Sequence, residues 1–361
     1  MKPKILLAVR SLSGRGGERS VLTLAQGFHE AGCEVHILCF NPSQEYDLNK
    51  NFKYHLIDIK QWYYKFFITT TLRYQRAAKE FDQYVLATIG QPDLILSNLI
   101  QTNRILSNSK LKNIAYVIRN TFSKENEQAL QKNPAKILNR YRTIYQKHPC
   151  ICVSKGVATD LNQTLEHLPE VATIYNAFDQ QYMENQAQEF QPNLGQYILH
   201  VGAFCHAKAH DVLLRAYAKS SQLVPLYLLG KGELETEIHQ LVQELGLKNK
   251  VHFLGFNKNP YPYIKNAQAL ILSSRYEGFV RVVSEAIALG TPVVSTDCPS
   301  GPNEVLPAYN LVPVDDIDAL AQKMHEIMEN PIPFQTPFNT DFLPHKIAKQ
   351  YLEYFKIEIG N

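Results

Sequence analysis

Two glutamates, Glu277 and Glu285, stand in the stretch ALILSSRYEGFVRVVSEAIALGTPVVSTD (269–297). A carboxylate accepts two hydroxyl hydrogen bonds at once, which suits the paired hydroxyls of a sugar or a ribose. The spacing by itself carries little: with 22 Glu in the chain, about one such pair is expected by chance. The context makes it specific. An apolar strand ends at Ser274, Glu277-Gly278 makes a turn, and a helix is predicted to start near Phe279 with Glu285 in its second turn. Gly290-Thr291-Pro292 ends that helix before another strand. Glu277 then falls at the carboxyl end of a strand. The backbone amides of Phe279 and Val280 fall at a helix start, where a phosphate is favoured. The bland alternative is a pair of glutamates on a solvated helix face.

A second strand, turn and helix runs through His200-Val201-Gly202-Ala203-Phe204-Cys205-His206-Ala207-Lys208. Lys208 is placed to reach an anion; alone it would read as a surface lysine, and His206 as an exposed turn residue. Gly230 and Gly232 close the next strand and leave room for backbone to lie under a flat ligand. A third turn, Ser13-Gly14-Arg15-Gly16-Gly17-Glu18-Arg19, also follows a strand and opens a helix, so its free N–H groups and dipole suit an anion. A dinucleotide fingerprint needs glycine at 19, where Arg19 stands, so Gly16 and Gly17 read as a phosphate- or sugar-facing turn or merely a flexible one. Asp316-Ile317-Asp318 fits a metal-binding DxD as text, but it precedes the amphipathic run ALAQKMHEIM, where Asp is a helix-start residue. No metal is expected, and no cofactor.

The elements that must hold these turns alternate. In the first half, KILLAV (4–9), CEVHILCF (33–40), DLILSN (93–98), NIAYVIRN (113–120) and CICVSK (150–155) read as buried strands, with an amphipathic helix from Glu18 to Ala31. The second half repeats the theme with QYILHVG (196–202), VPLYLLG (224–230), KVHFLGF (250–256), 269–274 and TPVVSTD (291–297), and a helix over 233–247. Short β-branched runs separated by helices predict βαβ units and parallel sheets. The fold class is α/β with two Rossmann-like lobes: residues 1–178, then 179–344, with the seam in the polar stretch after Asn176. Ligands are expected at the strands' carboxyl ends, in a cleft between lobes. The segment 345–361 carries a helical stripe, Ile347, Tyr351, Leu352 and Phe355, behind a Pro-rich run, and is expected to cross back to the first lobe.

Composition bounds the rest. The chain has 361 residues, 45% hydrophobic and 20% charged, with 17 Gly and 19 Pro, an ordinary globular balance. Six scattered Cys without metal spacing read as buried thiols in a reducing compartment. The five apolar residues before Arg10 make a strand rather than a signal sequence, and no run approaches a spanning helix. The expected location is cytoplasmic, at most peripheral on the inner face of the membrane. The net charge of +3 divides into +8 over residues 1–180 and −5 over 181–361, so one half is suited to an anionic partner. No nucleic-acid signature accompanies it. The run Trp62-Tyr63-Tyr64-Lys65-Phe66-Phe67-Ile68, followed by Arg73, Tyr74 and Arg76, mixes rings and cations as interfacial segments do, and points to an anionic membrane surface. An ordinary helix with its rings in the core reads as well.

Over nearly its whole length the chain resembles the retaining nucleotide-sugar glycosyltransferases of family 4, which have the GT-B fold. GGER (16–19) is similar to that family's GGxE-type loop, EGFVRVVSEA (277–286) to its EGFG-x4-EA motif, and SGPNEVL (300–306) to the segment after it. The linker approach is matched by CVSKGVATDL (152–161) and IYNAFD (174–179). The resemblance implies that Glu277 holds donor sugar hydroxyls, Glu285 the ribose and Lys208 the diphosphate, with amides from Phe279 and Val280, beside Gly278 and Gly202. It implies Lys208 and Glu277 as the catalytic pair, transfer with retention, and no metal. Three departures stand out. Ala203 occupies the place of a usual arginine, with Arg281 and His206 as candidate substitutes. Val280 replaces a glycine, which leaves the backbone less room. Arg119-Asn120-Thr121 stands where the family's first-lobe histidine falls, so Arg119 and Asn120 are the candidates on the acceptor side. The expected donor is a UDP-sugar ahead of a GDP-sugar, and the acceptor a glycan or lipid-linked glycan of a bacterial surface polysaccharide or lipopolysaccharide. Two rivals remain: a nucleotide-sugar epimerase of the same fold, and a non-catalytic two-lobe sugar-binding protein.

Overall fold

The computed structural model describes residues 2–13, 16–43, 49–58 and 70–359. Every strand pairing among them is parallel. The first sheet contains β1 (Lys4–Val9), β2 (Glu34–Cys39), β3 (Lys53–Leu56), β4 (Leu94–Asn98), β5 (Ile114–Ile118), β6 (Cys150–Cys152) and β7 (Val171–Thr173), in the order β3-β2-β1-β4-β5-β6-β7. The second contains β8 (Ile198–Val201), β9 (Leu226–Leu229), β10 (Val251–Gly255), β11 (Ala269–Leu272), β12 (Val293–Thr296) and β13 (Leu311–Val312), in the order β10-β9-β8-β11-β12-β13.

Both sheets are doubly wound, and the strand order reverses beside β1 in the first and beside β8 in the second. Helices cover both faces of such a sheet, so its central strands need apolar side chains on both sides. That is why Ile5 to Val9 are all apolar and all fully buried, and why periodicity alone located them. One face of the first sheet packs Leu6, Ala8, Ile95, Tyr116, Cys150 and Cys152 into one core, and the two thiols of β6 point to that same face. In the second sheet Ile198, Leu226, Leu228, Ile271 and Val294 form the corresponding core. The strands that escape sequence reading are β3, β7 and β13. They are two to four residues long and mostly half-buried, so no apolar run marks them.

The chain divides into two compact units, Met1–Ala177 with Asp341–Asn361, and Phe178–Thr340. These boundaries differ by one residue at the first crossing and by four at the second from those read in the sequence. The first part of the polar stretch at the seam is helical, and residues 187–197 after it are irregular. The helix, Gln180–Gln186, is started by Asp179, whose side chain accepts the Tyr182 amide at 2.9 Å. The C-terminal helix Pro344–Tyr354 belongs to the first unit, where it lies on the first helix, Gly16–Glu30. Its buried stripe is Ile347, Ala348, Tyr351 and Leu352, and Tyr351 meets Phe28 edge-on with ring centroids 5.9 Å apart. Gly27 makes the contact possible: a Cβ there would lie 2.1 Å from the Pro344 carbonyl oxygen.

Candidate functional site

In an open parallel sheet, the strands on either side of the order reversal leave a crevice at their carboxyl ends. In the second unit those strands are β8 and β11. The turn after β8 carries Lys208, and the turn after β11 carries Glu277. The two side chains meet there, with Lys208 Nζ 2.5 Å from Glu277 Oε1 and side chains 20% and 12% exposed. Burial works to lower the Lys208 ammonium, but the Glu277 carboxylate outweighs it and holds the ammonium above the usual lysine range. The strand, turn and helix follow in the expected order, but the helix starts only after Lys208. His206–Lys208 is a single 3-10 turn, Ala209 is left-handed at φ 48°, and the helix begins at His210.

What fixes this turn comes from the far end of β11, and nothing in the sequence pattern pointed to it. The Ser273 hydroxyl donates to the Lys208 carbonyl at 2.8 Å, and the Arg275 amide donates to the Ala207 carbonyl at 2.8 Å. The Arg275 guanidinium reaches the His206 carbonyl at 3.1 Å, Asp211 at 2.7 Å and Asp315 at 2.8 Å. Ser274 donates to Glu277 Oε1 at 2.7 Å, so the carboxylate shares one oxygen between a hydroxyl and the lysine. Three consecutive residues thus orient both members of the pair.

The helix carrying Glu285 runs Arg281–Ala288, so it begins two residues later than the sequence suggests. Phe279 and Val280 precede it, with Val280 at the N-cap position, instead of forming its first turn. Val280 also answers the question of space. Its side chain is 1% exposed and turns inward, against Gly301, which is held at φ 122° and whose added Cβ would lie 3.4 Å from Val280 Cγ2. Glu285, 6% exposed overall, is held by Arg281 at 2.9 Å, one turn earlier on the same helix.

Glycines shape the floor, but for a reason internal to the unit. A Cβ on Gly230, at φ 154°, would lie 1.9 Å from the Gly202 carbonyl, and one on Gly232 would lie 2.4 Å from the Phe204 carbonyl. The turns after β8 and β9 touch backbone to backbone, and this contact alone excludes side chains at 230 and 232. Gly202 is tight too, its added Cβ lying 3.2 Å from His200 Nε2 and 3.3 Å from Lys208 Cγ. Beneath it lie two buried imidazoles, His200 and His210, edge to face with centroids 4.5 Å apart. His200 Nδ1 bonds the Ile271 carbonyl at 2.9 Å. Its Nε2 and both His210 nitrogens have no partner among the described residues. Burial drives both pKa values down, to about 4 for His200 and about 2 for His210, so both rings are neutral beside the lysine.

The first unit repeats the geometry at β1 and β4. Gly16 and Gly17 open the first helix, and Gly17 faces Leu99 and Arg119. Arg119, half-buried at the end of β5, donates to Asn176 Oδ1 at 2.6 Å and Asn98 Oδ1 at 2.8 Å. Asn120 is exposed and donates to Glu125 at 3.2 Å. Glu18, 4% exposed, accepts from Ser13 at 3.2 Å, and its second oxygen has no partner among the described residues. Gly14 and Arg15 of this turn lie outside the described residues, as does the aromatic run 62–68. Of the residues after that run, Tyr74 packs on the core of the first unit and Arg73 is half-buried, which leaves Arg76 exposed.

The remaining sequence features resolve into structure. Asp316 caps the helix Ile317–Glu329 by accepting the Ala319 amide at 2.9 Å, and Asp318 pairs with Lys219 at 2.6 Å. Among the described residues no group of three or more His, Cys, Asp and Glu is arranged to hold a metal ion. The six cysteines are free, and burial pushes Cys33 up to about 11 and Cys39 and Cys150 up to about 12. Among the described residues no helix is long and apolar enough to cross a membrane.

Two doubly wound parallel units, each with a glycine-lined turn at its switch point and the second with a cation–carboxylate pair there, make this a two-lobe α/β protein of the GT-B class. The Glycosyltransferase Family 4 model matches residues 14–182 and the Glycosyl transferases group 1 model residues 183–341. The chain belongs to the group 1 glycosyltransferases. Among curated relatives, it is 35% identical over 181 residues to the N-acetylgalactosamine-N,N'-diacetylbacillosaminyl-diphospho-undecaprenol 4-alpha-N-acetylgalactosaminyltransferase of Campylobacter jejuni, covering 49% of this chain and 50% of that one. The chain thus spans about half the length of that relative. It is 24% identical to the lipopolysaccharide 1,6-galactosyltransferase of Salmonella typhimurium, over 98% of this chain and 96% of that one. Among solved structures, sucrose-phosphate synthase from Thermosynechococcus elongatus superimposes with a TM-score of 0.79 at 19% identity, covering 99% and 100% of the two chains. HepE from Anabaena, in complex with UDP and glucose, gives 0.76 at 18% identity, covering 98% and 99%.

Proposed function

We propose that the protein transfers a hexosyl or N-acetylhexosaminyl group, with retention, from a nucleoside diphosphate sugar to a hydroxyl of a glycan or lipid-linked glycan. A UDP-sugar is favoured as donor, and bacterial surface polysaccharide or lipopolysaccharide synthesis as the setting. The observation that carries this reading is the Lys208–Glu277 pair at the switch point of the second sheet. A cation beside a carboxylate matches a diphosphate joined to a polyol. The names of the relatives support the acceptor class, and the UDP in the HepE structure supports the nucleotide.

In this reading the bond from the sugar's anomeric carbon to the diphosphate oxygen breaks, and a bond to the acceptor oxygen forms on the same face. The acceptor proton passes to the departing diphosphate. Lys208 stabilises the charge growing on that leaving group, a preorganised electrostatic contribution, and Glu277 holds the sugar hydroxyls. No side chain forms a covalent intermediate, and no metal is invoked. Thermal-shift measurements against UDP-, GDP- and ADP-sugars test it, since a ligand bound by the native state alone raises the melting temperature. A rise with UDP-sugars is expected. No shift with any of the three overturns the reading.

A lipid-linked acceptor puts the work at a membrane, and an anionic inner leaflet is the proposed partner surface of a cytoplasmic protein. Support comes from the first half's charge. No Asp or Glu occurs between 128 and 159, and Lys132, Lys136, Arg140 and Lys147 of that stretch are exposed. Each contributes on the order of 1 kcal/mol near an anionic surface. Flotation with anionic vesicles at low salt should carry the protein up and fail in high salt; protein that stays below under both conditions overturns the membrane part alone.

A further inference from the structure

Arg281 sits where an isolated cation is unfavourable. It is the first residue of its helix, where the dipole repels positive charge, and its side chain is only 15% exposed. The first turn holds no acidic residue, and the N-cap residue Val280 makes no side-chain cap. Two contacts offset this. Glu285, with its side chain 7% exposed, lies 2.9 Å away, and the ring of Phe178 faces the guanidinium at 5.0 Å.

The same arrangement occurs a few residues earlier, where Glu277 holds Lys208. Both carboxylates proposed to take donor hydroxyls are thus occupied by cations of the same unit. A hydroxyl gains full use of such a carboxylate only when the cation turns elsewhere. A part-buried cation leaves its partner cheaply only when another anion receives it, because an uncompensated charge there is costly. A nucleoside diphosphate supplies both halves of that exchange, phosphates for the cations and hydroxyls for the carboxylates.

We propose that Arg281 is a second diphosphate-binding cation of this site, stored on Glu285 and released to the phosphates when the nucleotide's hydroxyls take that carboxylate. The inference rests on the donor-site reading above. Arg281 suits the task because a guanidinium stays charged at any physiological pH and meets phosphate oxygens in bidentate fashion. It begins a helix whose first amide is taken by the Phe279 carbonyl at 2.8 Å, while the next amides, which have no intrahelical partner, suit the same anion. The exchange moves side chains and asks nothing of the backbone.

Calorimetry with UDP and with uridine separates this role from a structural one, since uridine offers the ribose without the phosphates. For Arg281→Gln, UDP affinity should fall about ten- to a hundredfold while uridine affinity is unchanged or rises, because Glu285 is freed. Arg281→Lys should recover much of the loss. For Glu285→Gln, uridine affinity should fall and the ratio of UDP to uridine affinity should hold or increase. Equal losses for UDP and uridine in Arg281→Gln, or no loss at all, overturn the role of Arg281. A wild-type chain that binds none of UDP, GDP and ADP overturns the donor-site reading itself.

Discussion

Lys208 and Glu277 are 69 residues apart in the chain and 2.5 Å apart in the fold, each supplied by the turn after a strand flanking the order reversal. Lys208→Ala should weaken binding of the free nucleoside diphosphate by about 1.5–3 kcal/mol, the range for a charge-assisted contact. Glu277→Gln should instead reduce transfer more than nucleotide affinity, because its partner in the proposed complex is the sugar. Calorimetry with the free nucleotide and a transfer assay make the comparison. Unchanged affinity in Lys208→Ala removes the residue from the donor site.

Arg275 binds no ligand in this account, yet it ties the His206 carbonyl, Asp211 and Asp315 together behind Lys208. Arg275→Ala should cost about 1–3 kcal/mol of stability, as breaking a hydrogen-bonded charge network does. It should also raise the KM for the donor with a smaller effect on kcat. Urea melts and steady-state kinetics check both, and a variant with wild-type KM would show that the turn holds without it.

His200 and His210 make the second unit acid-sensitive. In the unfolded chain each imidazole takes up a proton near pH 6.5. In the folded chain His200 stays neutral down to about 4 and His210 down to about 2, both because of burial. Below pH 6.5 the unfolded chain therefore binds more protons, and stability falls as pH falls. The loss runs to about pH 4 for His200 and further for His210, at up to about 1.4 kcal/mol per pH unit for each. Above pH 6.5 neither contributes a slope. Urea midpoints at pH 7 and pH 5 should differ, and His210→Leu should remove about half of the difference; equal midpoints in the wild type would contradict the burial of these rings.

Gly27 and the C-terminal helix form one joint. Gly27→Ala places a methyl group against the Pro344 carbonyl and should cost at least the 1–3 kcal/mol typical of overpacking. Ending the chain before Pro344 should lower stability further by uncovering Phe28 and its neighbours on the first helix. A shortened chain that melts like the full one would mean that the helix contributes little to the first unit.

Much of this was legible because parallel sheets write their central strands as continuous apolar runs. β1, β4, β8, β11 and β12 are buried on both sides, so the sequence marks them, and the turns that follow them hold Gly16, Lys208 and Glu277 at once. The tail helix was legible for a related reason: its stripe of Ile347, Tyr351 and Leu352 requires a partner face. The edge strands β3, β7 and β13 were not, since a short, half-exposed strand needs no apolar pattern.

The sequence by itself determined the α/β alternation, the two-unit division and the residue types at the switch point, because these follow from local periodicity and from motifs contiguous in the chain. Only the tertiary structure decided that Lys208 meets Glu277, and that Ser273 and Arg275 fix the turn carrying Lys208; Arg281 and Glu285, one turn apart on one helix, are neighbours by local geometry. It also decided why Gly230 and Gly232 are glycines, since the excluded volume belongs to residues 202 and 204 in the turn after another strand. Pairing across strands depends on sheet order, and sheet order is set by how helices of both units cover apolar faces rather than by any local run of residues. The charge of a lysine can be read from one letter; the carboxylate that holds it 2.5 Å away cannot.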